Sequence, residues 1–583
     1  MTLRKRTIIK CIFSVLFGIV MMLDRQITVN IIPDLFTRYD ENYIGPMTVE
    51  SILMFVVSAA ALFVLLTGAE KLAAPGPRWV LRENVRPLKK RWFWIFAAVM
   101  ALCWLPWLLS NIPGGIFPDT YWVYDMIAGR IPLDNHQPIL YTGLNALVFF
   151  ITQNILPGTA QESVLTMTVL QLVFMALALS SFVCWLLKRG FSRIVAGVVL
   201  AYFAVFPLFS YYASSNWKDT WFSIFVFLFS VFMVDVVRTK AANLLTKEGV
   251  TQFFWLAFFV CWFRNNGIYI VAFTAIWLLI RYRRTLLIPF FKRGESDGLN
   301  GGGQTALLAK PGAGRAPAFL IAAVSLIVAT GVAQGPVFDR IGFNRDQAIE
   351  SYSIPIQQIC SVIANGGAVT EEEHAVFDRI IKPKIIEVYF SPNGVDPVKQ
   401  YMTDEAKAYL SDNQPEFFKT WASIVAKNPE QAAEAYLITT LGFWDPARGA
   451  PHGYMIQGLA PGGNWYGLTP RDLIYENTGF SFNALFAPRH YISAALFCWI
   501  ALFCFVVLIL RRKYALLVPF IPMLALWGTV LLTTPISFSL RYVFAFVPFM
   551  PLAVLLMLGA ERFLECVNKE GQLSQTGRPG GLR

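Results

Sequence analysis

Five short segments collect the polar residues that could do chemistry. Pro113-Gly114-Gly115-Ile116-Phe117-Pro118-Asp119-Thr120 carries Asp119, and Asn135-His136-Gln137-Pro138 carries His136. Asn216-Trp217-Lys218-Asp219 carries Lys218 and Asp219, Arg264-Asn265-Asn266-Gly267 carries Arg264 and Asn265, and Leu540-Arg541-Tyr542 carries Arg541. A sixth, Pro355-Ile356-Gln357-Gln358, opens a more polar stretch and contributes Gln357. Lys218, Arg264 and Arg541 lie beside long apolar runs, as do the carboxylates Asp119 and Asp219. Ionisable groups near membrane depth are costly and usually face a cavity and a partner. A carboxylate there can take the proton of an acceptor hydroxyl. Cations and main-chain donors can stabilise a phosphate leaving group as charge develops on it. The chemistry suggested is transfer from a lipid-linked phosphate.

Each residue also has a plainer reading. Asp119 follows Pro118 and could cap the next helix. Asp219 could cap its helix and pair with Lys218. Arg264 could bind carbonyls at a turn, Arg541 could anchor at the interface, and His136 could simply be hydrogen-bonded in a loop. At least one of Gln357 and Gln358 is expected to be structural.

The elements that must position these residues are membrane helices. Of 583 residues, 56% are hydrophobic and 15% charged, and mean hydropathy is +0.52. Runs such as 92–109, 164–187 and 492–510 approach the roughly 20 residues that cross a bilayer as a helix. Net charge is +12, but the basic residues gather beside apolar runs, as at Arg4-Lys5-Arg6 and Arg511-Arg512-Lys513. That distribution follows the positive-inside rule and argues against nucleic acid as a partner. The eight cysteines show no paired loop spacing, so no disulfide framework or zinc knuckle is implied.

Threading the chain by charge bias places both termini in the cytoplasm. Residues 1–91 hold two transmembrane helices and a basic cytoplasmic loop, with Lys10 of the first helix expected to snorkel. Residues 92–335 form a core with an external acidic loop, 110–138, and an interfacial helix, 139–156. Within it the run 253–280 is too long for one pass and reads as a hairpin turning at Asn265-Asn266-Gly267. Residues 336–490 form an external soluble domain, 491–560 the last transmembrane helices, and 561–583 a cytoplasmic tail. The fold class expected is an all-α polytopic membrane protein of about twelve transmembrane helices, with interfacial helices and a mainly helical external domain. All five chemical segments then fall on the external face.

An outward helix, an acidic loop, His136 before a proline that opens an interfacial helix, and an inward helix ending in basic residues span 92–193. This order resembles the C-type glycosyltransferase superfamily, which includes protein O-mannosyltransferases and aminoarabinose transferases. The Asn-Trp-Lys-Asp, Arg-Asn-Asn-Gly, Pro-Ile-Gln-Gln and Arg-Tyr signatures resemble an uncharacterised bacterial membrane family within it. The resemblance covers roughly 92–558, leaving the first two helices as an addition. It implies a hexosyl or pentosyl transferase of inverting type in the plasma membrane, using a polyprenyl-phosphate-linked sugar donor. The acceptor would be a glycan, lipid or protein of the cell envelope. By position, Asp119 would be the catalytic carboxylate, and Arg541 would hold the donor phosphate. His136, Lys218, Asp219, Arg264, Asn265 and Gln357 would line the substrates. Gln137 stands where the superfamily has the first of two prolines. Thr120 follows Asp119 where many relatives carry a second acid, which leaves a divalent metal open. Two other classes remain: a transporter or lipid flippase, favoured by the broken run 253–280, and a non-catalytic envelope assembly factor.

Overall fold

A computed structural model of the chain describes residues 2–28, 43–73, 88–286, 316–340, 347–449, 466–482, 492–534 and 536–559. The tail 561–583, the Gly-rich linker 292–315, and most of the basic loop 71–91 and of the Gly/Pro/Trp-rich stretch 444–466 lie outside the described residues.

Long apolar runs become helices because a backbone in lipid must satisfy its own hydrogen bonds. Among the described residues, eight helices are long and apolar enough to cross a membrane: Leu3–Gln26, Val49–Leu72, Arg91–Leu109, Ala160–Lys188, Lys218–Arg238, Ala318–Val337, Tyr514–Thr533 and Leu540–Gly559. The pair Arg193–Val205 and Pro207–Ala213, bent by 55° where Pro207 opens the second arm, makes a ninth if counted as one span. The expectation of about twelve spans is not confirmed among the described residues. Lys247–Phe263, Gly267–Arg281 and Ala494–Leu510 hold only 17, 15 and 17 residues. At 1.5 Å per residue they reach about 22–26 Å, short of a hydrocarbon core of about 30 Å. The first two of these are the arms of the run 253–280, broken at Arg264-Asn265-Asn266. Residues 139–156 form a helix, Ile139–Phe150, that continues as one wide turn through Ile155.

The two N-terminal helices pack closely at Gly18, where a Cβ would meet Phe55 at 2.9 Å. A small residue at that crossing lets the backbones approach. Lys10 does not snorkel. It is buried and pairs with Glu70 of the second helix at 2.7 Å, because a partner inside the pair removes the need to reach water.

Lys218–Arg238 is the central post, buried along nearly its whole length. It is packed by Ala160–Lys188, Lys247–Phe263 and Tyr514–Thr533. A second, separate core joins Ile349, Ile356, Ile359, Phe377, Val398, Phe417 and Ile424. Its helix Gln414–Lys427 buries Phe417, Thr420 and Ile424 at one-face spacing. This unit meets the membrane helices through the bridge between Gly394 and Ile536, where Ser537 donates its N–H to the Asn393 carbonyl at 2.9 Å.

Candidate active site

Three helix starts converge at one end of the bundle. Pro118–Ile127, Lys218–Arg238 and the last span, Leu540–Gly559, carry Asp119, Lys218 and Arg541 in their first turns. The first two are tied together by backbone. The Gly115 N–H donates to the Ser214 carbonyl and the Asn216 N–H to the Gly115 carbonyl, both at 2.9 Å. Thr120 Oγ1 donates to the Asn216 carbonyl at 2.7 Å, and the Phe117 ring stacks on Trp217 at 3.6 Å. Beneath them, Asn216 Nδ2 donates to Tyr124 Oη, and Tyr141 Oη donates to Asn216 Oδ1.

Asp119 sits between two cations. Arg541 Nη1 lies 2.8 Å and Lys218 Nζ 3.5 Å from its Oδ2. It does not cap its helix, whose N-cap is Phe117, with no side-chain cap. Burial works to raise its carboxyl. Lys218, then Arg541 and His136, and the Arg541 hydrogen bond outweigh that and hold it well below the usual carboxylate range. The Arg541 guanidinium also lies over the Trp217 ring, 5.1 Å from its centroid. Arg541 thus turns to Asp119 and Trp217 inside the protein.

Asp219 does not pair with Lys218. It is fully buried and binds Arg264 at 2.6 Å, because successive residues at a helix start point to different sides. Arg264 also covers the Tyr542 ring at 4.5 Å. Asn265 Nδ2 donates to the Asn135 carbonyl at 2.8 Å, tying the helix break to the loop that carries His136. Lys218 Nζ donates to Gln137 Oε1 at 2.7 Å. The group thus sets three cations, Lys218, Arg264 and Arg541, against two carboxylates, with three helix N-termini adding partial positive charge.

His136 links this group to the second core: its Nδ1 is 3.8 Å from Glu350 Oε1. Lys399 Nζ binds Glu350 at 2.7 Å and Asp396 at 3.2 Å. Burial pushes both acids up. Lys399 and His136 turn Glu350 below its usual value, while Asp396, with Glu350 beside it, stays raised. Gln357 is not brought to Asp119. Its Nε2 donates to the Ser391 carbonyl at 2.7 Å, and Gln358 Nε2 donates to the Ala432 carbonyl, so both tie the second unit together.

Cations and helix N-termini set beside a carboxylate are an arrangement that can hold an oxyanion. It does not fit a divalent metal. Asp119 faces two cations, and among the described residues no group of three His, Cys, Asp or Glu side chains is placed to hold a metal ion. The sequence reading missed Glu350, Asp396 and Lys399, which sit in a polar stretch where charges are ordinary. Gln137 and Tyr542 lie inside the quoted motifs without a role assigned from sequence.

The other ends of these helices carry a different set of charges. Arg189 pairs with Asp235 at 2.7 Å there, and Arg511 donates to the Met557 carbonyl.

A family model described as a family of unknown function (DUF6020) matches residues 115–291 and 315–572. The chain belongs to that family, and the match begins after the first three long helices. No curated protein and no solved structure matches the chain.

Proposed function

We propose that this member of the family is a membrane glycosyltransferase that moves a sugar from a polyprenyl-phosphate donor to an envelope acceptor. The observation that carries the reading is the convergence of three helix N-termini bearing Asp119, Lys218 and Arg541 at the end of apolar helices. Lipid-linked phosphate is the substrate class that suits such a place. Its tail lies among apolar helices, and its head meets cations and helix dipoles.

In the step proposed, Lys218 and Arg541 hold the donor phosphate. Asp119 takes the acceptor hydroxyl proton as the acceptor oxygen bonds to the anomeric carbon. The bond from that carbon to the phosphate oxygen breaks, and its electron pair leaves on the phosphate. With both cations on it, Asp119 is a weak base. A phosphate that draws them away restores its basicity, so the base is activated only when donor is bound. The outer face of the plasma membrane is the side proposed, because Arg189, Arg281, Arg283, Arg284, Arg511 and Lys513 follow or close helices at the opposite end.

The test compares a deletion strain, the strain restored with wild type, and the strain restored with Asp119→Asn at matched membrane abundance. Mass spectrometry reads envelope glycans and lipid-linked sugars. Loss of a sugar from an acceptor, accumulation of its lipid-phosphate donor, and failure of Asp119→Asn to restore the profile support transfer. Full restoration by Asp119→Asn removes Asp119 from the chemistry and returns transport or scaffolding to the front.

A further inference from the structure

Gln137 is 1% exposed, and its side chain is oriented by chemistry. Its Oε1 faces Lys218 Nζ at 2.7 Å. An ammonium only donates, so the carbonyl end must be the one that meets it. The Nε2 end is left with no partner among the described residues. Its backbone is equally fixed. Asp134 Oδ1 accepts from the His136 N–H at 2.9 Å and from the Gln137 N–H at 3.4 Å. Pro138 restricts the residue before it to extended backbone.

A buried amide donor left unmatched is disfavoured, and such groups in folded proteins call for a ligand or another explanation. This one is attached through its own carbonyl to the ammonium that holds Asp119. Among the described residues Trp217 Nε1 is another buried donor without a partner, on the ring that Arg541 covers. The loop and a helix start thus each bring an unmatched donor within one contact of the cations on Asp119.

We propose that Gln137 is a ligand for a phosphate oxyanion, its Nε2 completing with Lys218 and Arg541 a three-residue cradle. This rests on the reading of the site as one for lipid-borne phosphate, and names a residue that sets its selectivity. The amide donates to an oxygen acceptor without adding charge, so it contributes direction where Lys218 contributes attraction.

The test uses the full chain in nanodiscs, with dodecyl phosphate and inorganic phosphate as probes and binding read by calorimetry. Gln137→Met removes the donor at similar size without adding charge. A purely structural role predicts lower thermal stability and unchanged affinity. The proposal predicts affinity for dodecyl phosphate reduced at least about tenfold, the effect of one hydrogen bond to a charged group. Gln137→Leu should lose affinity to a similar extent, and either neutral variant decides if the other fails to fold. Unchanged dodecyl phosphate affinity in a folded neutral variant overturns the proposal, as does unchanged affinity in Gln137→Glu, which loses the donor and adds a repelling carboxylate. Dependence on Gln137 with inorganic phosphate but not with dodecyl phosphate overturns the lipid-borne source. Binding needs no turnover, so the two readings fail separately. Lost affinity with envelope glycans unchanged on deletion keeps the cradle and removes the transferase. Altered glycans with unchanged affinity do the reverse.

Discussion

Asp119→Asn should weaken the resting protein, tighten phosphate binding and stop transfer, all at once. The carboxylate neutralises Lys218 and Arg541, whose side chains are only 10% and 13% exposed. Removing one partner of a fully buried pair costs about 3–5 kcal/mol. Asp119 keeps 24% of its side chain open to water, so screening reduces the expected loss to about 1–3 kcal/mol. The same carboxylate repels an incoming phosphate. At roughly 5 Å and an effective dielectric near 20, two unit charges interact by about 3 kcal/mol. Allowing about half of that for the open side gives a gain of about 1–2 kcal/mol, or roughly five- to thirtyfold in affinity. Transfer should fall by about 10²- to 10⁴-fold, the usual worth of a general base. Thermal unfolding in nanodiscs, with and without dodecyl phosphate, reads the first two effects. Envelope glycan profiling reads the third. Dodecyl phosphate binding that is equal or weaker in Asp119→Asn would refute the competition between Asp119 and phosphate for the same two cations.

Other consequences can be checked in the same preparation. Arg264→Met leaves the fully buried Asp219 carboxyl without its partner, and should cost about 3–5 kcal/mol in thermal unfolding. Adding Asp219→Leu to it should recover much of the loss, and a double variant as unstable as the single would contradict the pairing. Asp445 is pushed up to about 8, first by burial and then by the nearby Asp24 carboxylate, which Arg448 also binds. Its folded value exceeds its unfolded one, so the folded chain binds the extra proton and stability falls as pH rises from about 4 to about 8. Asp445→Asn should flatten that slope in unfolding temperatures taken across the range, and an unaltered slope would assign it to another group. Gly442 lies so close to the Phe538 backbone that a Cβ would meet its Cα at 2.3 Å. Gly442→Ala should therefore lower folded yield by size-exclusion chromatography, whereas Gly528→Ala, with nothing within 4 Å, should not.

Residue types and run lengths alone point to the class of the molecule and to most of the residues of its candidate site. Composition and run length gave a helical chain with many membrane-length apolar segments, because a backbone in lipid has few other solutions. The cost of charge beside apolar runs singled out Asp119, Lys218, Asp219, Arg264 and Arg541, and the structure gathers all five. The break at Arg264-Asn265-Asn266 was legible because a polar, Gly-terminated tetrapeptide interrupts an apolar run. Span number was not legible to better than a few, since short helices such as Gly267–Arg281 have the composition of a crossing without its length. Pairing was decided only in three dimensions. Lys218 and Asp219 are neighbours in sequence, yet one turns to Asp119 and the other to Arg264, because the helix start sends them to different sides. Lys10 was expected to reach for water and instead finds Glu70, a residue sixty positions away. Glu350, Asp396 and Lys399 carry no sequence signal, because charge in a polar stretch is ordinary. They become part of the site only when the second core packs against His136. Residue type and local period fix which groups must be satisfied, and tertiary packing alone fixes which partner satisfies each.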